Sequence, residues 1–375
     1  MKVPVLLIFL IVAIESRNVT IFNDRIRLDV DGNVVDAHDG CVVAFGNEYF
    51  LYGESYGNLT GNGFANGGWG RFPQLSVYSS PYLVTWTFRG NLFNSSVPSD
   101  ATYTKWIPTA LVRDNSTIVL WFGSGDWGVA TSHDGINFDL AARHTTSRLG
   151  GSTDGTGLML DDDGTGYVAF AALGEGGSLR SGHLVSIERL SPDLLSSSLV
   201  NVSSFFPLDY VESPSLFKRN GLYYLLTPSC CCACRGGSGL AVYQASSMLG
   251  PWALQATHSD INCPAADVPI CGAFGARQVD REKIVFNAQW WSVSLIPTAG
   301  GGVAYLLNGR RWLSGVGNNA SCDDMCDNNG HPFSPCVNEN YYLRNDLDVW
   351  YPLDFDEAGN ILPLHPLDSF TIDLP

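Results

Sequence analysis

Four short segments place a polar side chain immediately ahead of an apolar run. Val34 to Cys41 carries Asp36, His38 and Asp39 before the run that ends at Tyr52, and Ser152 to Thr156 carries Asp154 before Leu158-Met159-Leu160. Val211-Glu212-Ser213-Pro214 leads into Ser215-Leu216-Phe217, and Asn287-Ala288-Gln289 leads into Trp290-Trp291. Carboxylates in three of these segments and an amide in the fourth suit hydrolysis of a glycosidic bond. That reaction needs one carboxylic acid to protonate the leaving oxygen and a second group to activate water or attack directly. The same residue types also cap turns, and for Asp154 taken alone capping is the simpler reading. The chemistry therefore depends on elements able to bring the four segments together.

A repeat supplies such elements. An aromatic-rich strand follows a turn in Gly46 to Tyr52, again in Asp163 to Phe170 and again in Asn220 to Leu226, with looser copies at Ser116 to Phe122 and Gly302 to Leu307. A second motif, Ser76-Val77-Tyr78-Ser79-Ser80 ending at Trp86, returns at Gly128 to Ser132 ending at Phe138 and at Ala241 to Ala245 ending at Trp252. Short alternating or apolar runs bounded by Gly, Asn, Asp or Pro, without helical periodicity, indicate an all-β chain. A unit recurring roughly every 50 to 80 residues indicates small sheets arranged radially. The expected fold is a five-bladed β-propeller over residues 17–375 in one domain, with a large β-sandwich or two β-domains as the alternative.

The N-terminus reads as a secretory signal peptide over residues 1–16: Lys2, an apolar run from Val3 to Ile14, and the small Ser16. That run is shorter than the roughly 20 residues a membrane span needs. Sequons at Asn18, Asn58, Asn94, Asn115, Asn201 and Asn319 agree with a secreted glycoprotein. Ten cysteines are then expected to form disulfides. The cluster at Cys230, Cys231, Cys232 and Cys234 lacks the spaced second pair or histidines of a zinc site, so no metal is expected. With a net charge of −16 and no basic cluster, nucleic acid is excluded as a partner. The expected partner is a neutral oligo- or polysaccharide, met by a monomer away from membranes.

The chain resembles glycoside hydrolase family 43, in the branch that contains exo-β-1,3-galactanases. The similarity runs from about Val34 to Leu362 and is densest from Glu212 to Tyr224. Further matches are Asp161-Asp162-Asp163-Gly164, Asn308-Gly309-Arg310-Arg311-Trp312 and Asp348 to Leu353. The resemblance implies a five-bladed propeller with an inverting mechanism and no cofactor; for calcium at the axis no ligand set is legible. It implies Glu212 as general acid and Asp154 as the carboxylate that orients the acid and keeps it protonated. For the base it offers two positions, Asp39 and Gln289. A carboxylate is the stronger base, so Asp39 is favoured, with Gln289 orienting water or sugar. His38, Trp106, Arg311 and Trp290 are the candidate sugar contacts. Trp106 stands where the galactanase-like branch has a glutamate, which should alter sugar preference. The expected activity is hydrolysis of a β-galactosyl or arabinosyl glycan; a catalytically silent, sugar-binding propeller is the alternative.

Overall fold

Strands that are apolar on both faces need partners on both sides, and a closed ring of sheets supplies them. In a computed structural model the described residues are 16–58, 74–92, 106–123, 127–149, 153–173, 183–205, 211–228, 240–255, 288–311, 342–362, 364 and 367–375. Most of the expected leader (residues 1–15), the sequons at Asn94 and Asn319, and every cysteine except Cys41 lie outside them.

After β1 (Arg17–Phe22), the first sheet comprises β2 (His38–Phe45), β3 (Glu48–Ser55), β4 (Gln74–Ser80) and β5 (Thr87–Leu92). The second holds β6 (Thr109–Arg113), β7 (Thr117–Phe122), β8 (Trp127–Ser132) and β9 (Asp139–Thr145). The third holds β10 (Thr153–Leu160), β11 (Gly166–Leu173), β12 (His183–Leu190) and β13 (Ser197–Phe205). The fourth holds β14 (Ser215–Arg219), β15 (Leu222–Thr227), β16 (Ala241–Ala245) and β17 (Ala253–Leu254). In the fifth the described strands are β18 (Gln289–Pro297), β19 (Val303–Arg311) and β20 (Leu347–Pro352). Within each sheet the strands are antiparallel and neighbour one another in chain order. The first strands β2, β6, β10, β14 and β18 contact one another in turn, and β18 returns to β2. The fold is thus the expected five-bladed β-propeller. The aromatic repeat of the sequence is the second strand of every blade.

The core is divided among the five junctions between blades. Along β3, Tyr49 and Leu51 face the fifth blade, where Ile296, Leu306 and Trp350 meet them. The alternate residues Phe50 and Tyr52 face Ile118, Leu120 and Phe122 of the second blade. Period-two alternation sends neighbouring side chains to opposite faces, so a strand buried on both faces reads as a continuous apolar run. Burying a residue such as Leu51 or Phe50 contributes roughly 1.5–3 kcal/mol. The ring is tied again at the rim, where β1 pairs antiparallel with β21 (Ser369–Leu374) from Arg17↔Leu374 to Phe22↔Ser369.

Regularity breaks where β2 starts. Its pairing with β3 shifts between His38 and Cys41, and Asp39 adopts a φ of 56°. Two glycines make room for this bulge. A Cβ on Gly40 would stand 1.8 Å from the Tyr52 carbonyl oxygen, and one on Gly53 would stand 2.2 Å from the Ala37 carbonyl carbon. Bulges re-aim side chains, and this one sets the direction of His38 and Asp39. Gly53→Ala is expected to lower unfolding free energy by about 2–4 kcal/mol, read as a lower urea midpoint at unchanged slope. An unchanged midpoint would show that the two strands separate there freely.

Candidate active site

The four segments singled out in the sequence enter the inner strands of blades one, three, four and five. Trp106 stands ahead of the inner strand of the second. Glu212 precedes β14; its backbone N–H donates to the Pro228 carbonyl (3.0 Å), and its partly buried carboxylate accepts from Gln289 Nε2 at 3.2 Å. Gln289, at the start of β18, is 1 % exposed and lies opposite Arg310 of β19. Arg310 is fully buried, with Nη1 3.1 Å from Asp39 Oδ2 and Nη2 3.4 Å from Asp346 Oδ2. An unbroken series therefore runs from Glu212 through Gln289 and its strand partner Arg310 to Asp39, across blades four, five and one.

Asp154 lies on β10 next to Gly155, and its side chain is outside the described part of the structure. Its backbone is nevertheless set close to Glu212. A Cβ on Gly155 (φ 77°) would stand 2.5 Å from Ser213 Cα, and one on Gly157 2.2 Å from the Pro214 carbonyl oxygen. Only glycine permits that approach, which brings the Asp154 segment against the Glu212 turn with no side chain between them.

Asp39 is 4 % exposed. Its Oδ2 accepts from Arg310 and, in a short hydrogen bond, from Tyr56 Oη; its Oδ1 has no hydrogen-bond partner. Burial pushes its carboxyl above the usual range, and the Arg310 guanidinium opposes that. Asp39 also borders a cavity of about 10 Å³ shared with Ala37, Leu51, Asn308 and Trp350, room for about one water. Behind Tyr56 lies Glu54, 3 % exposed, which accepts from Ile107 N at 2.9 Å. Ile107 follows Trp106 directly, and its carbonyl accepts from Thr156 Oγ1 of the third blade at 3.2 Å. Trp106 itself is half-buried, its carbonyl accepting from Gly123 N at 2.7 Å.

His38 is 1 % exposed, with Nδ1 2.6 Å from Asp348 Oδ2 and Nε2 3.2 Å from Asp36 Oδ1. Burial alone would depress its pKa, but the Asp348 and Asp36 carboxylates outweigh both burial and the Arg310 charge and raise it to about 9. In this arrangement His38 is an ion-pair partner between the first and fifth blades, on carboxylates rather than facing an open pocket. Among the described residues no group of three or more His, Cys, Asp or Glu is arranged to hold a metal ion.

One expected sugar contact is corrected by the packing. Trp290 is 1 % exposed and sits in the core between blades four and five, edge-on to Tyr351 at 5.8 Å. It presents no face to a ligand. Arg311 is half-buried on β19, and the pleat directs it away from the face on which its neighbour Arg310 meets Asp39. The cation paired with Asp39 is Arg310, which the sequence placed in a matching segment without a role. Tyr56, Glu54 and Asp346 were not legible as site residues; the only signal was that Glu54 lies at the end of the strand paired with the Asp39 entry and Tyr56 directly follows that strand.

Fold and site together define a five-bladed propeller whose axial end gathers an acid, an amide and a guanidinium-bound carboxylate. Residues 34–273 match the glycosyl hydrolases family 43, and the chain belongs to that family. It is similar in structure to an exo-β-1,3-galactanase from Clostridium thermocellum (TM-score 0.67, 20 % identity, covering 94 % of this chain and 67 % of that one). It is also similar to an exo-β-1,3-galactanase from Phanerochaete chrysosporium crystallised with galactose (TM-score 0.66, 21 % identity, covering 95 % and 69 %). In sequence it is 27 % identical over 170 residues to a β-D-galactofuranosidase of Aspergillus niger, a match covering 40 % of this chain and 47 % of that enzyme. The chain thus matches under half the length of that relative.

The His38 pairing carries a sign. A histidine whose pKa rises from about 6.5 to about 9 on folding stabilises the fold fully below pH 6.5 and loses that contribution as pH rises through 9. Unfolding free energy is expected to fall by about 3 kcal/mol between pH 6.5 and 9.5, and His38→Gln should flatten this slope. Denaturant titrations at several pH values check it; a slope unchanged in His38→Gln assigns the loss to other groups.

Proposed function

We propose that this chain is an exported glycosidase that hydrolyses a neutral glycan with inversion of configuration, Glu212 acting as general acid. The observation that carries the reading is the series from Glu212 through Gln289 and Arg310 to Asp39, which joins residues from three blades at one axial end. Glu212 protonates the leaving oxygen. Asp39 directs water with Oδ1, the oxygen that Arg310 and Tyr56 leave untouched. Gln289, whose amide holds Glu212, orients the acid and the water. Asp154 takes the place of a second carboxylate near the acid, where like charge keeps a proton on Glu212. Half-buried Trp106 supplies an apolar face for a sugar ring. Relatives named for β-1,3-galactan and galactofuranose favour a galactosyl end over an arabinosyl one. Export rests on the N-terminal leader pattern and the sequons, and a monomer suffices for this site.

One observation favours a catalytically silent, sugar-binding propeller instead. Asp39 is almost fully buried and its charge is already matched by Arg310. Assay of the purified chain on galactans and aryl glycosides separates the two readings, with the anomer of the first product followed by NMR. Glu212→Gln is expected to lower kcat by roughly 10²- to 10⁴-fold at unchanged melting temperature. Turnover within tenfold of wild type would remove Glu212 as the acid, and glycan binding without hydrolysis would establish the silent reading.

A further inference from the structure

Tyr56 Oη stands between two buried carboxyls. Its short contact is to Asp39 Oδ2, and its longer one, 3.3 Å, is to Glu54 Oε2. A phenol has a single proton, so it donates to one of them only. Arg310 Nη1 adds a second donor to the same Asp39 oxygen at 3.1 Å, and its guanidinium lies over the Tyr56 ring at 4.4 Å from the centroid. The guanidinium contact and the shorter of the two Tyr56 contacts therefore converge on Asp39, and the Tyr56 proton goes there. The remaining contact, between Tyr56 Oη and Glu54 Oε2, then needs a proton of its own. Glu54 must bring it.

We infer that Glu54 is held as the neutral acid and donates to Tyr56 Oη, which in turn donates to Asp39, so that Glu54 and Tyr56 act as positioning residues keeping Asp39 ionised and aimed. The role rests on Asp39 being the base proposed above; the placement of the proton does not. The surrounding charges agree. Arg310 is shared with Asp346, and His38 is taken by Asp348 and Asp36. Among the described residues no cation pairs with Glu54, whose other oxygen accepts only the Ile107 N–H. A second buried negative charge beside Asp39 would have only Arg310 to offset it, and Arg310 already serves Asp39 and Asp346. Burial and the Asp39 charge push Glu54 well above the ordinary carboxylate range. The unit thus carries one negative charge, on the carboxylate that must accept a proton from water, with the spare proton parked one residue behind.

Two measurements test this. In a Glu212→Gln background at neutral pH, infrared difference spectra should show a protonated-carboxyl band that disappears on adding Glu54→Gln and survives on adding Asp39→Asn. No band, or a band lost with Asp39→Asn instead, overturns the assignment. In the otherwise intact enzyme, Tyr56→Phe removes a donor from the Asp39 carboxylate. The acidic limb of kcat/KM should then move up by about one pH unit, with KM changed by less than about twofold. In Glu54→Gln the amide N–H replaces the acid O–H toward Tyr56, and that limb should stay at its wild-type position. A downward shift in Glu54→Gln would mean that a charge had been removed, and so that Glu54 was the anion. Should the wild-type chain hydrolyse nothing while the infrared pattern appears, the catalytic reading fails and the proton assignment stands. If Tyr56→Phe does not fold, the infrared pair decides alone.

Discussion

A buried guanidinium needs its charge matched nearby, and Arg310 has one carboxylate from each side of the seam between the last blade and the first. It extends from β19 to Asp39 of β2, and holds Asp346 just ahead of β20. Leaving such a cation without its partner costs roughly 3–5 kcal/mol, so the seam and the ion pair stand together. Two neutral contacts reinforce it: Ser292 Oγ donates to the Gly40 carbonyl (2.8 Å), and Val42 N donates to Ser294 Oγ (2.9 Å). The residues that shut the ring are thus the residues that shape the axial end. An open ring would have neither.

The blades themselves are interchangeable solutions to one packing problem, and the site exploits their differences. At four of the five entries a carboxylate or amide stands at or just ahead of the inner strand; ahead of the second stand Trp106 and Ile107, and the Ile107 backbone ties Glu54 of the first blade to Thr156 of the third. Glycine fixes how closely entries approach. The Gly155 and Gly157 backbone lies directly against Ser213 and Pro214, so the Asp154 and Glu212 segments are held in register by main chain. Main-chain contact leaves little rotamer freedom to blur the distance between two catalytic groups.

Much of this was legible in the sequence because it follows from alternation and turns. The aromatic repeat marked β3, β7, β11, β15 and β19, and the polar entries marked four inner strands. The third strands of blades three and five, His183–Leu190 and Leu347–Pro352, do not share the pattern of β4, β8 and β16 and were not marked by it. Side-chain direction near an irregularity was the main loss. Pairing shifts between Trp290 and Ser292 on β18, and without that bulge in view Trp290 could not be assigned to the core. Arg310 and Arg311 are equivalent as letters, and only the pleat separates the buried one from its neighbour. Glu54 and Tyr56 reach the site from the end of a second strand, where no polar entry ahead of a first strand marks them.

The rim pairing of β1 with β21 has a mechanical side. Because the two strands run antiparallel with Arg17 opposite Leu374, tension applied through the chain flanking both strands loads the pair at one end. The hydrogen bonds then part in succession, as in an unzipping, and never share the load as they would in shear. The rim pairing is accordingly a soft direction for a pull applied in that way.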